Sequence, residues 1–136
     1  MADHKVTVKR MGGHTNGAGW YPVTQVPQVT VVDCTIRDGG LMNKSNFTLD
    51  FVQAVYRALG QAGVQVMELG YRDSRKKFDS AQFGPWRFCD DEMIKRVVGD
   101  QNYPGTRIAV MMDAHKCDEA DLKPRELSLV GLVLLC

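Results

Sequence analysis

Four short apolar runs, with amphipathic stretches between them, dominate the pattern of this chain after its first 28 residues. The runs cover residues 29–34, 64–69, 108–112 and 128–135. Their mostly β-branched and aliphatic side chains are typical of strands that are covered on both faces. We therefore expect four strands of a buried sheet.

Two amphipathic stretches between these runs predict helices. The first follows Thr48, a suitable N-cap, and ends at Gly60 or Gly63. The second begins near Asp90, with two acidic residues in its first turn. The apolar residues expected on the buried faces are Phe51, Val52, Val55 and Leu59 in the first helix and Met93, Ile94, Val97 and Val98 in the second.

The order of these elements predicts an α/β fold with a parallel sheet and right-handed crossovers. Before the last strand, Glu119 to Glu126 predicts only a weak helix, because Pro124 interrupts it. An open flavodoxin-like sheet has the same order, but neither G-x-G-x-x-G nor G-x-x-x-x-G-K follows any strand. Residues 1–28 lack periodicity and predict a flexible lead-in to a domain of residues 29–136.

Composition indicates an ordinary domain rather than a nucleic-acid-binding or membrane protein. Hydrophobic residues make up 44% of the chain, charged residues make up 24%, and the net charge is +1. The most apolar stretch, residues 127–136, is far shorter than the roughly 20 residues that span a bilayer. We expect a cytoplasmic protein with no nucleic-acid or membrane partner. Four scattered cysteines without a C-x-x-C pair argue against a zinc or redox motif.

The most informative stretch is residues 31–40, in which an apolar strand runs into an arginine, a carboxylate and two glycines. The last side chains of a parallel strand lie at the carboxyl edge of the sheet, where α/β proteins bind ligands. Asp38 offers an oxygen ligand for a divalent cation, and Arg37 offers a positive charge for a carboxylate or an enolate. Gly39-Gly40 would let the chain turn away. On the residues alone, a structural ion pair between Arg37 and Asp38 is the alternative.

The segment Asp33-Cys34-Thr35-Ile36-Arg37-Asp38-Gly39-Gly40 resembles the D-x-T-x-R-D-G motif of the pyruvate carboxyltransferase-like metallolyases. That family includes hydroxymethylglutaryl-CoA lyase, isopropylmalate and homocitrate synthases, and 4-hydroxy-2-oxovalerate aldolase. Ala62-Gly63-Val64 and Val66-Met67-Glu68-Leu69-Gly70 match the family's second strand. The resemblance covers residues 29–136 and implies the N-terminal half of a TIM barrel, with about four parallel strands and covering helices.

By this resemblance, Asp38 would be a ligand of Mg, Mn or Zn, and Arg37 would be a catalytic residue that stabilises an enolate. Glu68 would be a second catalytic residue, with a capping role as its alternative. The implied activity is that of a divalent-metal-dependent carbon-carbon lyase or aldolase, or of a Claisen-type acyl transferase. The substrate would be a small 2-oxo acid or an acyl compound.

The sequence departs from the family pattern at two places. It contains no His-x-His pair, which supplies the remaining metal ligands of the family, and Leu41 replaces the histidine that the aldolase branch has three residues after the metal aspartate. The alternative function is therefore a catalytically incomplete half-barrel or assembly module. Its uncovered sheet edges predict self-association, or pairing with a missing C-terminal half.

Two further residues are candidate substrate contacts at the same edge. Arg72 lies in a basic loop with Arg75, Lys76 and Lys77, which suits a carboxylate or a phosphate. His115 follows the third predicted strand, where an imidazole suits metal binding or proton transfer. A solvated basic loop and a surface histidine are the respective alternatives.

Overall fold

The computed structural model describes residues 29–136, so the predicted lead-in of residues 1–28 lies outside the described residues. The strands are β1 (Val32–Asp33), β2 (Val66–Tyr71), β3 (Arg107–Met112) and β4 (Val130–Leu135). The α-helices are α1 (Thr35–Asn43), α2 (Leu49–Ala62) and α3 (Asp91–Val98). Short 3₁₀ helices lie at Pro85–Arg87, Glu119–Asp121 and Arg125–Leu127.

The four strands form one parallel sheet in the order β1-β2-β3-β4. This confirms the predicted α/β class and the parallel pairing of the strands. Neighbours along the chain are also neighbours in the sheet, which is compatible with part of a β/α barrel. The loops that follow β1, β2 and β3 therefore leave from the same edge of the sheet.

Helix α2 begins and ends where the sequence predicts. The side chain of Thr48 accepts a hydrogen bond from the Phe51 amide at 3.3 Å, and Gly63 adopts the left-handed conformation with φ of 74°. The buried residues of this helix are Val52 and Tyr56. The placement of Phe51 on the buried face is wrong, because its position in the first turn leaves it 45% exposed.

Helix α3 also confirms its predicted start and its predicted face. The side chain of Asp90 accepts a hydrogen bond from the Met93 amide at 2.9 Å, which caps the helix. Ile94 and Val97 are buried in the core, and Met93 and Val98 pack against it. The predicted weak helix before β4 is instead two separate 3₁₀ helices, and Pro124 lies between them.

The core lies between the sheet and its helices. Trp86 is fully buried there, and its indole donates a hydrogen bond to the carbonyl oxygen of Phe47 at 2.8 Å. Gly70 lets β2 approach this residue, since a Cβ at Gly70 would lie 2.1 Å from the Trp86 carbonyl oxygen. The buried hydrophobic cluster comprises Ile36, Val52, Tyr56, Met67, Leu69, Trp86, Cys89, Ile94, Val97, Ile108 and Val110.

The largest difference from the sequence prediction lies directly after β1. The expected strand is only two residues long, and a helix, α1, follows it. The Asp33 carboxylate accepts hydrogen bonds from the amide and the hydroxyl of Thr35, which favours the start of this helix. Gly39 and Gly40 therefore lie inside α1 and do not turn the chain away. A Cβ at Gly40 would lie 3.1 Å from the Ser45 hydroxyl, so the glycine allows close packing.

The helices of the described residues are short. The longest helix of residues 29–136, α2, has 14 residues. None of the helices in this part of the chain is both long and apolar enough to cross a bilayer.

Candidate functional site

Arg37, Asp38 and Glu68 form one cluster at the carboxyl edge of the sheet. Arg37 and Asp38 lie in the first turn of α1, while Glu68 lies within β2. The Nε of Arg37 donates a hydrogen bond to Oε2 of Glu68 at 2.8 Å, and its Nη1 pairs with Oδ1 of Asp38. The structure thus brings together the two predicted catalytic residues and the predicted metal ligand. Arg37 and Asp38 come from a helix rather than from the expected strand end, and Glu68 comes from β2.

Exposure differs sharply across this cluster. The Glu68 side chain is fully buried, the Arg37 side chain is 18% exposed, and the Asp38 side chain is 57% exposed. Glu68 therefore holds the guanidinium from below, while part of Arg37 remains accessible. Such a cation, fixed by a buried partner, is suited to hold negative charge that develops on a bound molecule.

The electrostatics of the cluster favour a charged arginine and a neutral thiol. Burial opposes the charge of Arg37, but the hydrogen bond and the negative charge of Glu68, together with Asp38, raise its pKa overall. Burial, followed by the nearby Glu68 carboxylate, raises the pKa of Cys34 to about 11. Because the thiolate is the reactive form, Cys34 is a poor nucleophile at neutral pH.

One oxygen of Glu68 lacks a partner. Its Oε1 is buried and accepts no hydrogen bond from any residue in the described part of the chain. Buried polar atoms are nearly always hydrogen-bonded, so this oxygen is an unused acceptor beside the Arg37 cation.

The cluster supplies few donors for a metal ion. A divalent cation takes several oxygen or nitrogen ligands. Asp38 is an exposed carboxylate that already pairs with Arg37. Within residues 29–136, no group of three His, Cys, Asp or Glu side chains is arranged to hold a metal ion. These residues alone therefore do not fit a metal centre, and the role of Asp38 as a ligand stays a prediction.

Arg72, a predicted substrate contact, is not part of this cluster. It follows β2 and is only 3% exposed, because its Nε donates to the carbonyl oxygen of Cys89 at 3.0 Å and its Nη1 lies 3.4 Å from Oδ2 of Asp91. The alternative of a solvated loop charge is thus wrong for Arg72. No hydrogen bond or ion pair within residues 29–136 joins it to Glu68.

His115, the other predicted substrate contact, lies on the surface. It is exposed in the loop after β3, and its main-chain carbonyl oxygen accepts a hydrogen bond from Lys77 at 2.9 Å. Among the described residues it has no hydrogen bond or ion pair to Arg37, Asp38 or Glu68. Its role in substrate binding stays a prediction.

Two buried carboxylates near the same edge were missed by sequence reasoning. Asp91 pairs with Arg72 and accepts a hydrogen bond from Ser128. Burial opposes its ionisation, but the Ser128 hydroxyl and the charges of its cationic partners lower the pKa of Asp91. Asp73 lies 2.7 Å from Nε of Arg87, and burial raises the pKa of Asp73 despite that cation.

A signal for Asp73 was present in the sequence. Arg72-Asp73 directly follows β2, and another Arg-Asp pair, Arg37-Asp38, comes soon after β1 in the first turn of α1. An Arg-Asp pair after two neighbouring parallel strands indicates two charged positions at one sheet edge.

Comparison with known proteins finds similarity to an aldolase. A segment of 78 residues, or 57% of this chain, is 35% identical to a 4-hydroxy-2-oxovalerate aldolase from Thermus thermophilus. The matching segment spans 22% of that enzyme. No protein-family profile matches the chain. No solved structure matches it either. The similarity therefore relates part of this chain to part of an aldolase.

Proposed function

We propose that this chain contributes the enolate-stabilising part of a carbon-carbon lyase or aldolase that acts on a small 2-oxo acid. The observation that carries the proposal is the hydrogen bond between Arg37 and the fully buried Glu68, at the sheet edge where α/β enzymes bind ligands. The similarity to 4-hydroxy-2-oxovalerate aldolase supports the same reaction class.

The chemistry follows from where charge develops. In a 4-hydroxy-2-oxo acid, the bond that breaks joins the carbon next to the carbonyl group to the carbon that carries the hydroxyl group. The electron pair of this bond forms an enolate, and the hydroxyl proton is transferred to a base. The carbonyl oxygen thus gains negative charge. The Arg37 guanidinium is an N–H donor and a cation that does not need to reorganise, because Glu68 already holds its Nε. A proton then returns to the enolate carbon, and the products are an aldehyde and a shorter 2-oxo acid.

Glu68 is a positioning residue in this proposal. Its buried carboxylate fixes one edge of the guanidinium, and Asp38 contacts another nitrogen of it. A lysine at position 37 would keep the charge but lose the planar fork. Asp38 would act as a metal ligand in this proposal only together with ligands from outside residues 29–136.

The test is the release of a 2-oxo acid from 4-hydroxy-2-oxovalerate, followed by reduction of the product with lactate dehydrogenase, with and without Mn²⁺. Arg37→Lys and Glu68→Gln are expected to lower turnover by about a hundredfold, the usual effect of removing one oxyanion-stabilising donor. Arg57→Ala, at an exposed position of α2, is the matched control and should retain full turnover.

Two results separate the parts of the proposal. Turnover in Arg37→Lys equal to that of the unaltered chain would exclude the role of Arg37. Turnover that depends on Mn²⁺ and is lost in Asp38→Asn would support the role of Asp38 as a metal ligand, while turnover that is unaffected by this change would remove it.

The second candidate function, an assembly module, is favoured by the outer strands. In the described part of the chain, β1 and β4 each pair with one strand only. Val31 and Val32 beside one edge are 48% and 42% exposed, and Leu135 at the other is 76% exposed. Exposed apolar edges favour association with another sheet. Sedimentation of the chain tests this: a stable dimer or larger assembly would support the proposal, and a monomer at high concentration would contradict it.

A further inference from the structure

A second group of charged residues surrounds a cavity beyond the carboxyl end of β2. The cavity has a volume of about 270 Å³ and is lined by the loop after β2, the start of α3 and the 3₁₀ helix at Glu119–Asp121. Arg37, Asp38 and Glu68 do not line it. It is smaller than the roughly 300–1,000 Å³ pockets that hold drug-sized molecules, so it suits a small ligand.

Arg72 forms one wall of this cavity and has an unused donor. Its Nη1 lies 3.4 Å from the carbonyl oxygen of Asp121 and 3.4 Å from Oδ2 of Asp91, and both of those residues also line the cavity. Its Nη2 is buried and donates to no acceptor within residues 29–136. A guanidinium presents its donors in a fixed plane, so the Nη2 donor is already oriented for an acceptor.

Further cations lie around the cavity at distances longer than a normal hydrogen bond. Lys123 lies 3.6 Å from Oδ2 of Asp91, the same oxygen that faces Arg72. Arg75 lies 3.4 Å from Asp90, and both of these side chains are about half exposed. Oδ2 of Asp91 is therefore shared by Arg72 and Lys123, and the ion pair of Arg75 with Asp90 is long and half exposed.

Four aspartates line the cavity, and three of them also have partners that do not line it, whereas the Asp121 carboxylate has no hydrogen bond or ion pair within residues 29–136. Asp73 faces Arg87, which does not line the cavity. Asp90 caps α3 through the Met93 amide. Asp91 accepts a hydrogen bond from Ser128. Lys76 also lines the cavity, but its Nζ lies 2.7 Å from Oδ2 of Asp118, so the loosely held cations are Arg72, Arg75 and Lys123. The buried Nη2 donor of Arg72, which has no acceptor within residues 29–136, favours an anionic ligand.

We propose that this cavity binds a small oxyanion, the carboxylate or phosphate group of a small molecule, with Arg72 at its wall and Lys123 and Arg75 at its mouth. The site goes beyond the proposed lyase function, since it shares no lining residue with the Arg37–Glu68 cluster. It is therefore tested by binding alone, without any turnover.

The experiment titrates the ¹⁵N-labelled chain with inorganic phosphate or malonate at constant ionic strength and follows the amide signals. Saturable shifts are expected in residues 72–76 and 120–123, with a dissociation constant on the order of 1–10 mM. Lys123→Gln should weaken binding about threefold, and a double change of Lys123 and Arg75 to Gln about tenfold. Lys95→Gln, on the exposed face of α3, is the control and should bind as the unaltered chain does.

The two anions identify the source of the oxyanion. Tighter binding of phosphate indicates a phosphate ester, and tighter binding of malonate indicates a carboxylic acid. Arg72 is buried, so a variant at that position can fail to fold, but the exposed Lys123 and Arg75 variants still test the site. Shifts that do not saturate, that chloride reproduces, or that persist unchanged in the double variant would overturn the proposal.

Discussion

The pairing of Arg37 with Glu68 makes the sharpest energetic prediction, because a fully buried carboxylate depends on a single cation. A double-mutant cycle with Arg37→Ala, Glu68→Gln and both changes together isolates the interaction. A hydrogen bond between charged groups contributes about 1.5–3 kcal/mol. The Arg37 side chain is 18% exposed, so solvent weakens the pair, and we expect a coupling energy of about 2 kcal/mol.

Both single changes should destabilise the chain, but by different amounts. Arg37→Ala leaves a buried charge without its cation, so it should cost about 3 kcal/mol of unfolding free energy. Glu68→Gln removes that charge, and the Oε1 atom that lacks a partner makes its loss less costly, so we expect a cost below about 1 kcal/mol.

Urea unfolding at pH 7, followed by circular dichroism, measures the four proteins of the cycle. The exposed pair of Glu92 and Lys95 is the control, and its coupling should be close to zero. A coupling between Arg37 and Glu68 as small as that of the control pair would refute the view that Glu68 fixes the guanidinium.

Three further changes test the packing and the electrostatics around the site. Gly70→Ala would place a Cβ 2.1 Å from the Trp86 carbonyl oxygen and should cost at least about 3 kcal/mol, whereas Gly105→Ala, with open space, should be close to neutral; equal unfolding free energies would contradict the close approach. Ile94→Ala should cost about 2–5 kcal/mol in urea unfolding, since Ile94 is fully buried, and a cost below 1 kcal/mol would contradict its place in the core. Asp91→Asn should destabilise the chain at pH 7. Because the folded pKa of Asp91 is lowered, its stabilisation is present above the unfolded value of about 4 and is lost as pH falls through the folded value. The difference from the unaltered chain should therefore shrink below about pH 4, and a difference that is independent of pH would contradict the ion pair.

The helices α2 and α3 were predictable because their signals are local. Thr48 and Asp90 cap their own helices, and Gly63 ends α2 in the conformation that favours glycine. Apolar periodicity placed Ile94 in the core. Each of these features depends on residues within one or two turns of the chain.

Helix α1 was not predictable in the same way, because its two glycines disfavour a helix. The helix depends on the burial of Ile36 in the core and on the packing of Gly40 against Ser45. These contacts depend on the rest of the fold. The intrinsic preference of the segment was therefore outweighed by tertiary packing.

The candidate site shows the same division. The composition of the Arg37-Asp38 segment indicated charge at the sheet edge, but the contact of Arg37 with Glu68 in β2 required the parallel pairing of β1 with β2. The burial of Arg72 depends on its ion pair with Asp91 at the start of α3. From the sequence alone, Asp91 was predicted only to stabilise the first turn of that helix. Long-range pairing of charges was the part that local patterns did not contain.

The central claim, that Arg37 held by Glu68 stabilises an enolate, is tested most directly by deuterium exchange. The methyl protons of pyruvate are followed by ¹H NMR in D₂O, with the chain present at catalytic concentration and with the Arg37→Lys and Arg57→Ala variants beside it. The account predicts exchange above the rate without protein, retained in Arg57→Ala and lowered about a hundredfold in Arg37→Lys. Exchange at the rate without protein, or equal exchange in Arg37→Lys and in the unaltered chain, would contradict it.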